Sequence, residues 1–500
     1  MTKGRFVIST ATAPRRTPKS ALLALGLAVA LGGCANLGRF ATLEPASAPA
    51  KSAKPAAAPA QLSAVEQEHQ RILSSYGGSY TDPRLEALIT RAVERLVAAS
   101  DRPDLHYKVT ILNSGAVNAF ALPTGKLYVT RGLLALANDT SELSSVLAHE
   151  MAHVLAKHAA IREEQARQAA VVTRVVADMG NDPDLTALAL AKSKLSMASF
   201  SRAQEFEADG IGVGIATRAN FDPYGAARFL TAMGRNAELR AGRSGIDPRS
   251  QDFLSTHPAT PERVQNAQNI ARQYQGPTDG GREREAYLAA INNLVYGEDP
   301  SEGFVRGRRF LHPKLGFTFQ AAEGYTLDNT AQAVIGVRAG GQQAMRFDVV
   351  RVPADQQLTD YLSSGWMENV DKNTAENLTI NGFPAATAIA TGDQWEFRVY
   401  ALRFGSDVYR FIFASKGKAG IHDRHFREIV NSFRRLSLAE IDATRPLRIR
   451  IATAQPGDTV ETMAHRMADV DQPVERFRML NGLGPKDVLR PGDQVKLVVE

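Results

Sequence analysis

The sequence predicts an α+β chain of several domains, and three observations lead there. Five hundred residues exceed what one ordinary core organises, while 44% hydrophobic and 22% charged residues give the balance of a globular protein. Apolar residues recur at helical spacing through the first half, as in Leu85, Leu88, Ile89, Ala92, Val93 and Leu96, and change to strand-like runs from about Phe304. From Ile449 the character changes again, to short apolar segments punctuated by Pro-Gly turns. These shifts divide the chain into a mainly helical domain at 62–280, a helical connector at 281–302, a small α+β domain at 303–440 and a module at 447–500.

The N-terminus has a composition of its own. Arg5, Arg15, Arg16 and Lys19 precede an apolar run over 21–31, then Leu31-Gly32-Gly33-Cys34, the arrangement of a secretory leader at 1–33 and too short for a stable membrane span. Thr17-Pro18 after the arginine pair argues against a twin-arginine signal. Leu-Gly-Gly-Cys resembles the bacterial lipoprotein lipobox, which implies cleavage before Cys34, acylation of its thiol and new amine, and attachment to a membrane. By the same resemblance Ala35 favours the outer membrane over the inner. Residues 34–61 are rich in Ala, Pro, Ser and Lys and read as a disordered tether. Cys34 is the single cysteine, so no internal disulfide framework exists. The net charge of +6 is scattered, with no basic stripe interleaved with aromatics, so no nucleic-acid partner is expected.

Helices are expected at 65–74 and 83–99, followed by strands at 107–112 and 126–130, with 118–125 between them. A strand lying beside a metal helix can pair with an extended peptide along its free edge. Asp139 caps the next helix, with Glu142 placed to reach back to the cap. That helix carries Val146-Leu-Ala-His149-Glu150-Met-Ala-His153, the H-E-x-x-H pattern. Histidines four apart stack one turn above each other and reach one metal ion, while Glu150, about 100° round the helix, addresses water there. The helix is expected to continue past His158, five residues from His153, which puts His158 off the ligand face and on the surface. Further helices are expected at 161–178 and 184–199, where Arg174, Asp178, Lys192 and Lys194 interrupt every apolar run and preclude a membrane span.

H-E-x-x-H supplies two ligands, whereas a catalytic zinc has three protein ligands and water. The third is expected in Ser201-Arg-Ala-Gln-Glu205-Phe-Glu207-Ala-Asp209. Glu205 and Asp209 share a helix face and Glu207 points away from it. Glu205 completes a His₂Glu set, and Asp209 is placed to hold a ligand histidine or to face the reacting centre.

Asn118-Ala-Phe, Thr130-Arg-Gly-Leu-Leu134, the H-E-x-x-H stretch and Ser201-Arg-x-x-Glu205-x-Glu-Ala-Asp209 together resemble the HtpX/CAAX-prenyl-protease family of zinc metallopeptidases, over roughly residues 65–275. The lack of expected membrane spans makes the chain similar to the periplasmic, BepA-like branch. The resemblance implies a gluzincin-type fold and one zinc ion held by His149, His153 and Glu205. It also implies Glu150 as general base and Asp209 as a second catalytic acid or proton donor.

His257 lies on a loop before a helix started by Thr260-Pro261. It is placed to bind zinc in place of water, to stabilise an oxyanion, or simply to hold the loop. The Gly/Arg/Ser-rich stretch 234–251 before it reads as a hinge. The 303–440 domain is loosely similar to PsbP/Mog1-like domains, with His422 and His425 on a surface helix. Gln455-Pro-Gly-Asp-Thr-Val460, Met479-Leu-Asn-Gly-Leu483 and Leu489-Arg-Pro-Gly-Asp-Gln-Val-Lys-Leu497 resemble a LysM domain, which implies a βααβ module and a peptidoglycan partner. The leading expectation is a lipid-anchored periplasmic zinc endopeptidase acting on envelope proteins, notably misassembled outer-membrane proteins. The alternatives are a peptidoglycan endopeptidase, against which the lack of an H-x-H pair counts, and an assembly or chaperone factor with latent proteolysis. Oligomeric state is not legible.

Overall fold

Helical spacing becomes helix where the sequence places it. Helix α1 (Ala64–Ser75) is capped by Ser63, and α2 (Pro83–Ala99) by Asp82, whose carboxylate accepts from the N–H groups of Arg84 and Leu85. Seven residues of α2, from Leu85 to Val97, form one buried stripe. Each large side chain fully buried there contributes about 1.5–3 kcal/mol relative to exposure. The structure, a computed structural model, describes residues 63–500 apart from 166, 168–199, 242–252, 259, 278–280, 393, 418 and 469. The leader, Cys34, the tether, and most of the stretches read as helices at 161–178 and 184–199 and as a hinge at 234–251 lie outside the described residues.

Strands β1 (Lys108–Leu112), β2 (Ala119–Leu122) and β3 (Lys126–Thr130) form a sheet in the order β1-β3-β2, with β3 parallel to β1 and antiparallel to β2. Residues 118–125, read from the sequence as a separator, therefore hold a strand, and β2 is the edge that lies along the metal helix. Ala-Phe-Ala-Leu carries no polar alternation, which is why the pattern misses it. Helix α3 (Arg131–Leu136) follows β3 directly. A Cβ on Gly132 would collide with the carbonyls of Gly115 and Ala116, so glycine lets the preceding loop lie against α3.

Helix α4 (Thr140–Leu155) is buried on every side from Thr140 to His153, the signature of a helix at the centre of a fold. Asp139, fully buried, caps it by accepting from Glu142 N–H at 2.8 Å and Ser141 Oγ at 2.7 Å. Arg282 Nε at 2.8 Å and Arg228 Nη2 at 3.2 Å hold the Asp139 carboxylate ionised at the positive end of the helix dipole. Glu142 reaches back one residue further than expected, accepting from Asn138 N–H at 2.8 Å. Helices α5 (Arg202–Arg218), α6 (Gly225–Ala241), α7 (Phe253–Thr256) and α8 (Pro261–Ala271) belong to the same helical domain, and α9 (Arg284–Ile291) leads out of it.

Residues 293–296 run antiparallel to 447–449. Asn293 N–H donates to Ile449 O, Ile449 N–H to Leu294 O and Tyr296 N–H to Leu447 O, at 2.7–2.9 Å. The intervening chain thus leaves and returns at one place. It builds a four-stranded sheet in the order β14-β6-β5-β4, from β4 (Phe304–Arg306), β5 (Arg309–His312), β6 (Phe317–Gln320) and β14 (Arg434–Arg435). It also builds a seven-stranded sheet in the order β10-β11-β12-β13-β9-β8-β7. These strands are β7 (Tyr325–Asn329), β8 (Val334–Arg338), β9 (Gln343–Val350), β10 (Val370–Ile380), β11 (Phe383–Thr391), β12 (Trp395–Phe404) and β13 (Asp407–Lys416). All its pairings are antiparallel. Helix α11 (Asp423–Asn431) packs Phe426, Ile429 and Val430 into a core with Phe317, Phe347, Phe411 and Phe413, while the short α10 (Leu358–Leu362) belongs to a second cluster with Ala386, Val399 and Ala401. His422 and His425 join no metal-ligand group among the described residues.

The last segment runs β15 (Arg448–Thr453), α13 (Val460–Ala464), α14 (Pro473–Leu480) and β16 (Gln494–Val499), after a short α12 (Leu438–Ala443), so its order is βααβ. Its apolar side chains do not form a core of their own. Ile449, Val460, Met463, Phe477, Leu480 and Val498 belong to the cluster that contains Leu134, Leu143 and Tyr287. Residues 62–500 form one compact unit, and none of the described helices is long and apolar enough to cross a membrane.

Candidate metal centre

Helix α4 presents His149 and His153 one turn apart, with Nε2 atoms 3.0 Å from each other and each residue about 5% exposed. Helix α5 crosses close beside them because residue 212 is glycine: a Cβ there would meet His149 N at 3.0 Å and Cα at 3.1 Å. This approach brings Glu205 in, with Oε2 3.6 Å from His149 Nε2 and Oε1 3.6 Å from His153 Nε2. From the other side, His257 places Nδ1 2.9 Å from Glu205 Oε1 and 3.3 Å from His149 Nε2. The donor atoms of His149, His153, Glu205 and His257 lie within 4.8 Å of one another, and all four residues are buried. Sequence placed three of these together. His257 joins them, so of its expected roles the geometry favours a metal donor.

The loop carrying His257 is fixed at several points. His257 N–H donates to Phe253 O, Phe253 N–H to Val117 O, and Phe200 N–H to Thr256 O. The Phe253 ring stacks on His257 at 4.4 Å between centroids and that of Phe200 on His153 at 4.1 Å. These aromatic walls have no local sequence signal.

Asp209 is placed behind the site rather than in front of it. Its Oδ1 is 3.0 Å from His149 Nδ1, and both carboxylate oxygens accept from Arg263, at 2.7 and 2.8 Å. Burial alone would push its carboxyl up, but Arg263 and His149 outweigh that and hold it at about 2. Of the two placements expected for Asp209, the geometry shows the one against a ligand histidine, where the carboxylate is suited to orient His149. Arg263 Nη1 also lies 2.6 Å from Glu205 Oε2, which makes this buried arginine the counterion of two carboxylates. Nothing in its spacing to the motif announced that.

His158 departs from the sequence expectation. Helix α4 ends at Leu155 and Lys157 takes a left-handed φ of 56°, so residues 158–165 resume helical conformation in a new direction. His158, 1% exposed, returns to place Nδ1 2.9 Å from His153 Nδ1. The expected surface position assumed an unbroken helix.

These groups fit a cation. With the Nδ1 side of each ligand histidine engaged, the Nε2 lone pairs face each other and a carboxylate. Burial pushes both imidazoles toward the neutral form; His149, His257, His158 and Arg263 add to this at His153, whereas the Asp209 carboxylate opposes it at His149. Burial likewise pushes Glu205 and Glu150 up, Glu150 further because Glu205 is near, and Glu150 Oε1 is buried without a hydrogen-bond partner. Converging lone pairs and destabilised carboxylates in a dry site are what a divalent ion relieves.

A central H-E-x-x-H helix, a crossing helix with a third acidic donor and a three-stranded sheet whose edge lies alongside define a metallopeptidase domain. Residues 83–271 match the model of Peptidase family M48. The mitochondrial metalloendopeptidase OMA1 of Schizosaccharomyces pombe is 31% identical over 204 residues, covering 40% of this chain and 57% of that protein. The beta-barrel assembly-enhancing protease of Escherichia coli (strain K12) is 29% identical over 222 residues, covering 43% and 44% respectively. The chain thus spans about half the length of the curated relatives it matches. Among solved structures, cyanobacterial PsbP from Synechocystis sp. PCC 6803 is 13% identical, covers 28% of this chain and 98% of that one, and superposes with a TM-score of 0.21, too low to carry an argument.

Proposed function

We infer that the chain is a zinc-dependent endopeptidase of gluzincin type that hydrolyses peptide bonds in proteins of the cell envelope. The observation that carries this reading is the convergence of His149, His153, Glu205 and His257 beside Glu150, whose buried Oε1 accepts no hydrogen bond and lies 3.7 Å from His257 Nε2. Bound zinc supplies a Lewis acid that polarises the scissile carbonyl and acidifies water. Glu150, beside those donors, would take a proton from that water and return it to the leaving amine. Ala121 on β2 donates its backbone N–H to Glu150, which puts this edge strand next to the base and suits it to align an extended peptide. The test is cleavage of an unfolded protein such as casein by the purified chain. Activity should be lost with a chelator, return with zinc, and be absent in Glu150→Gln, which should still bind one zinc. Full activity in that variant overturns the reading.

The envelope address rests on the leader and Cys34, with acylation anchoring the protein to the outer membrane on its periplasmic side. Mass spectrometry showing an unmodified Cys34 would remove the anchor. One relative is named a beta-barrel assembly-enhancing protease, which supports misassembled outer-membrane proteins as substrates. The βααβ order of 447–500 supports a LysM-like module and peptidoglycan contact, testable by sedimentation of the whole protein with purified sacculi. A second reading, an assembly factor with latent proteolysis, is favoured by one observation: Glu150 is 3% exposed beneath the His257 loop. Rescue of a deletion phenotype by Glu150→Gln would select it.

A further inference from the structure

Helix α5 carries three acidic residues at alternate positions, and each is used differently. Glu205 enters the donor set and Asp209 sits on the back of His149, 3.0 Å from Nδ1. Glu207 leaves from the opposite face of the helix and meets His158, with Oε2 3.2 Å from Nε2. The other nitrogen of His158 is 2.9 Å from His153 Nδ1. Both ligand histidines are thus backed from the same helix, His149 directly and His153 through an intervening imidazole.

We propose that His158, seated by Glu207, is a positioning residue that fixes the tautomer and ring orientation of His153 toward the metal. The inference rests on the metal-centre reading above. For His153 to offer Nε2 to a cation as a neutral imidazole, its proton must sit on Nδ1, and the group facing Nδ1 must accept it. His158 accepts there only if its own proton is on Nε2, where Glu207 receives it.

The alternative device, a second carboxylate directly behind His153, would bury another negative charge in a site that already encloses Glu150, Glu205 and Asp209. A neutral imidazole moves that charge outward, to a Glu207 side chain 58% exposed. The backbone is bent to achieve this: Lys157 adopts φ 56°, a conformation unfavourable for a side chain larger than glycine, and an unbroken helix would carry His158 off this face.

The test is zinc affinity of the full chain by competition with a chromophoric chelator, together with the visible spectrum of the cobalt-substituted protein. His158→Phe keeps a planar ring but no acceptor, and should weaken zinc about 10–100-fold and shift the cobalt bands, as removal of outer hydrogen-bond partners does. His158→Asn places an oxygen near the Nδ1 position and should recover most of the loss. Glu207→Gln should weaken zinc several-fold. Circular dichroism of the zinc-free proteins reports whether each variant folds. If His158→Phe does not fold, the exposed Glu207→Gln decides. Wild-type affinity and an unchanged cobalt spectrum in Glu207→Gln, or in a folded His158→Phe, overturn the proposal. A wild-type chain that takes up no zinc overturns the metal centre itself, a distinct failure.

Discussion

Lys496 Nζ lies 2.8 Å from the carbonyl oxygen of Ala135, and also donates to the carbonyls of Leu136 and Ala137 at 3.1 and 2.9 Å. A lysine from the last strand of the chain therefore satisfies the C-terminal end of α3, just before the cap of the metal helix. The side chain is fully buried, and burial pushes its ammonium down to about 7 against the pull of Glu142. The C-terminal segment is structurally part of the unit that carries the H-E-x-x-H helix.

Replacing Lys496 by Met should destabilise the protein by about 3 kcal/mol or more, because three carbonyls lose their donor and buried Glu142 loses a neighbouring cation. Denaturant unfolding followed by circular dichroism measures this. A chain lacking 447–500 should aggregate, since Leu134, Leu143 and Tyr287 lose the side chains that cover them. Lys496→Met unfolding at the wild-type midpoint would show that the contact contributes nothing.

His257→Ala should weaken zinc binding by about tenfold, as expected for loss of a donor or its close support, and at the same time raise the rate of peptide cleavage. Removing the imidazole frees a position beside Glu205 and opens the cover over Glu150. Parallel measurements of chelator competition and a fluorogenic peptide give both quantities. A fall in kcat with unchanged zinc affinity would instead assign His257 to the oxyanion.

Arg263→Met should cost about 3–5 kcal/mol, because Asp209 and Glu205 are left buried without their counterion. Arg263→Lys should recover little, since an ammonium cannot span both Asp209 oxygens and Glu205 together. Thermal melts of the metal-free proteins separate this from loss of zinc. A lysine variant as stable as wild type would mean that charge alone suffices.

Local rules made much of the site legible. The i, i+4 spacing of His149 and His153, the shared face of Glu205 and Asp209, and the caps at Asp139 and Thr260 are properties of single helices. What was missed depends on chain breaks and distant packing. The left-handed Lys157 moved His158 from the expected surface to the back of His153. Arg263 acquires its role only when α8 and α5 meet. Strand β2 lacks alternation, while β10 (Val370–Ile380) is largely exposed and β11 is alanine-rich, so neither stood out in the domain between 303 and 440. Separate compositions at 62–280 and 447–500 suggested separate cores, whereas their apolar residues share one, a fact that periodicity within either segment cannot reveal.

The junction into that domain should respond to pH. Glu298 accepts from Val305 N–H at 2.9 and 3.0 Å and from Arg306 Nη1 at 3.2 Å, while Glu302 lies against the turn at Gly77. Burial pushes Glu298 up to about 7, and burial together with Asp299 pushes Glu302 to about 7, from an ordinary value of 4.5. Between about 4.5 and 7 the folded protein therefore holds protons that the unfolded chain releases. Their stabilising effect is fully present below the unfolded value and is lost as pH rises through the folded one. Wild type should lose more thermal stability between pH 5 and 8 than a Glu298→Gln/Glu302→Gln protein, whose amides cannot titrate. All other groups are common to both, so their contributions cancel in the difference. Parallel melting-temperature curves across that window would show that these two carboxyls titrate normally.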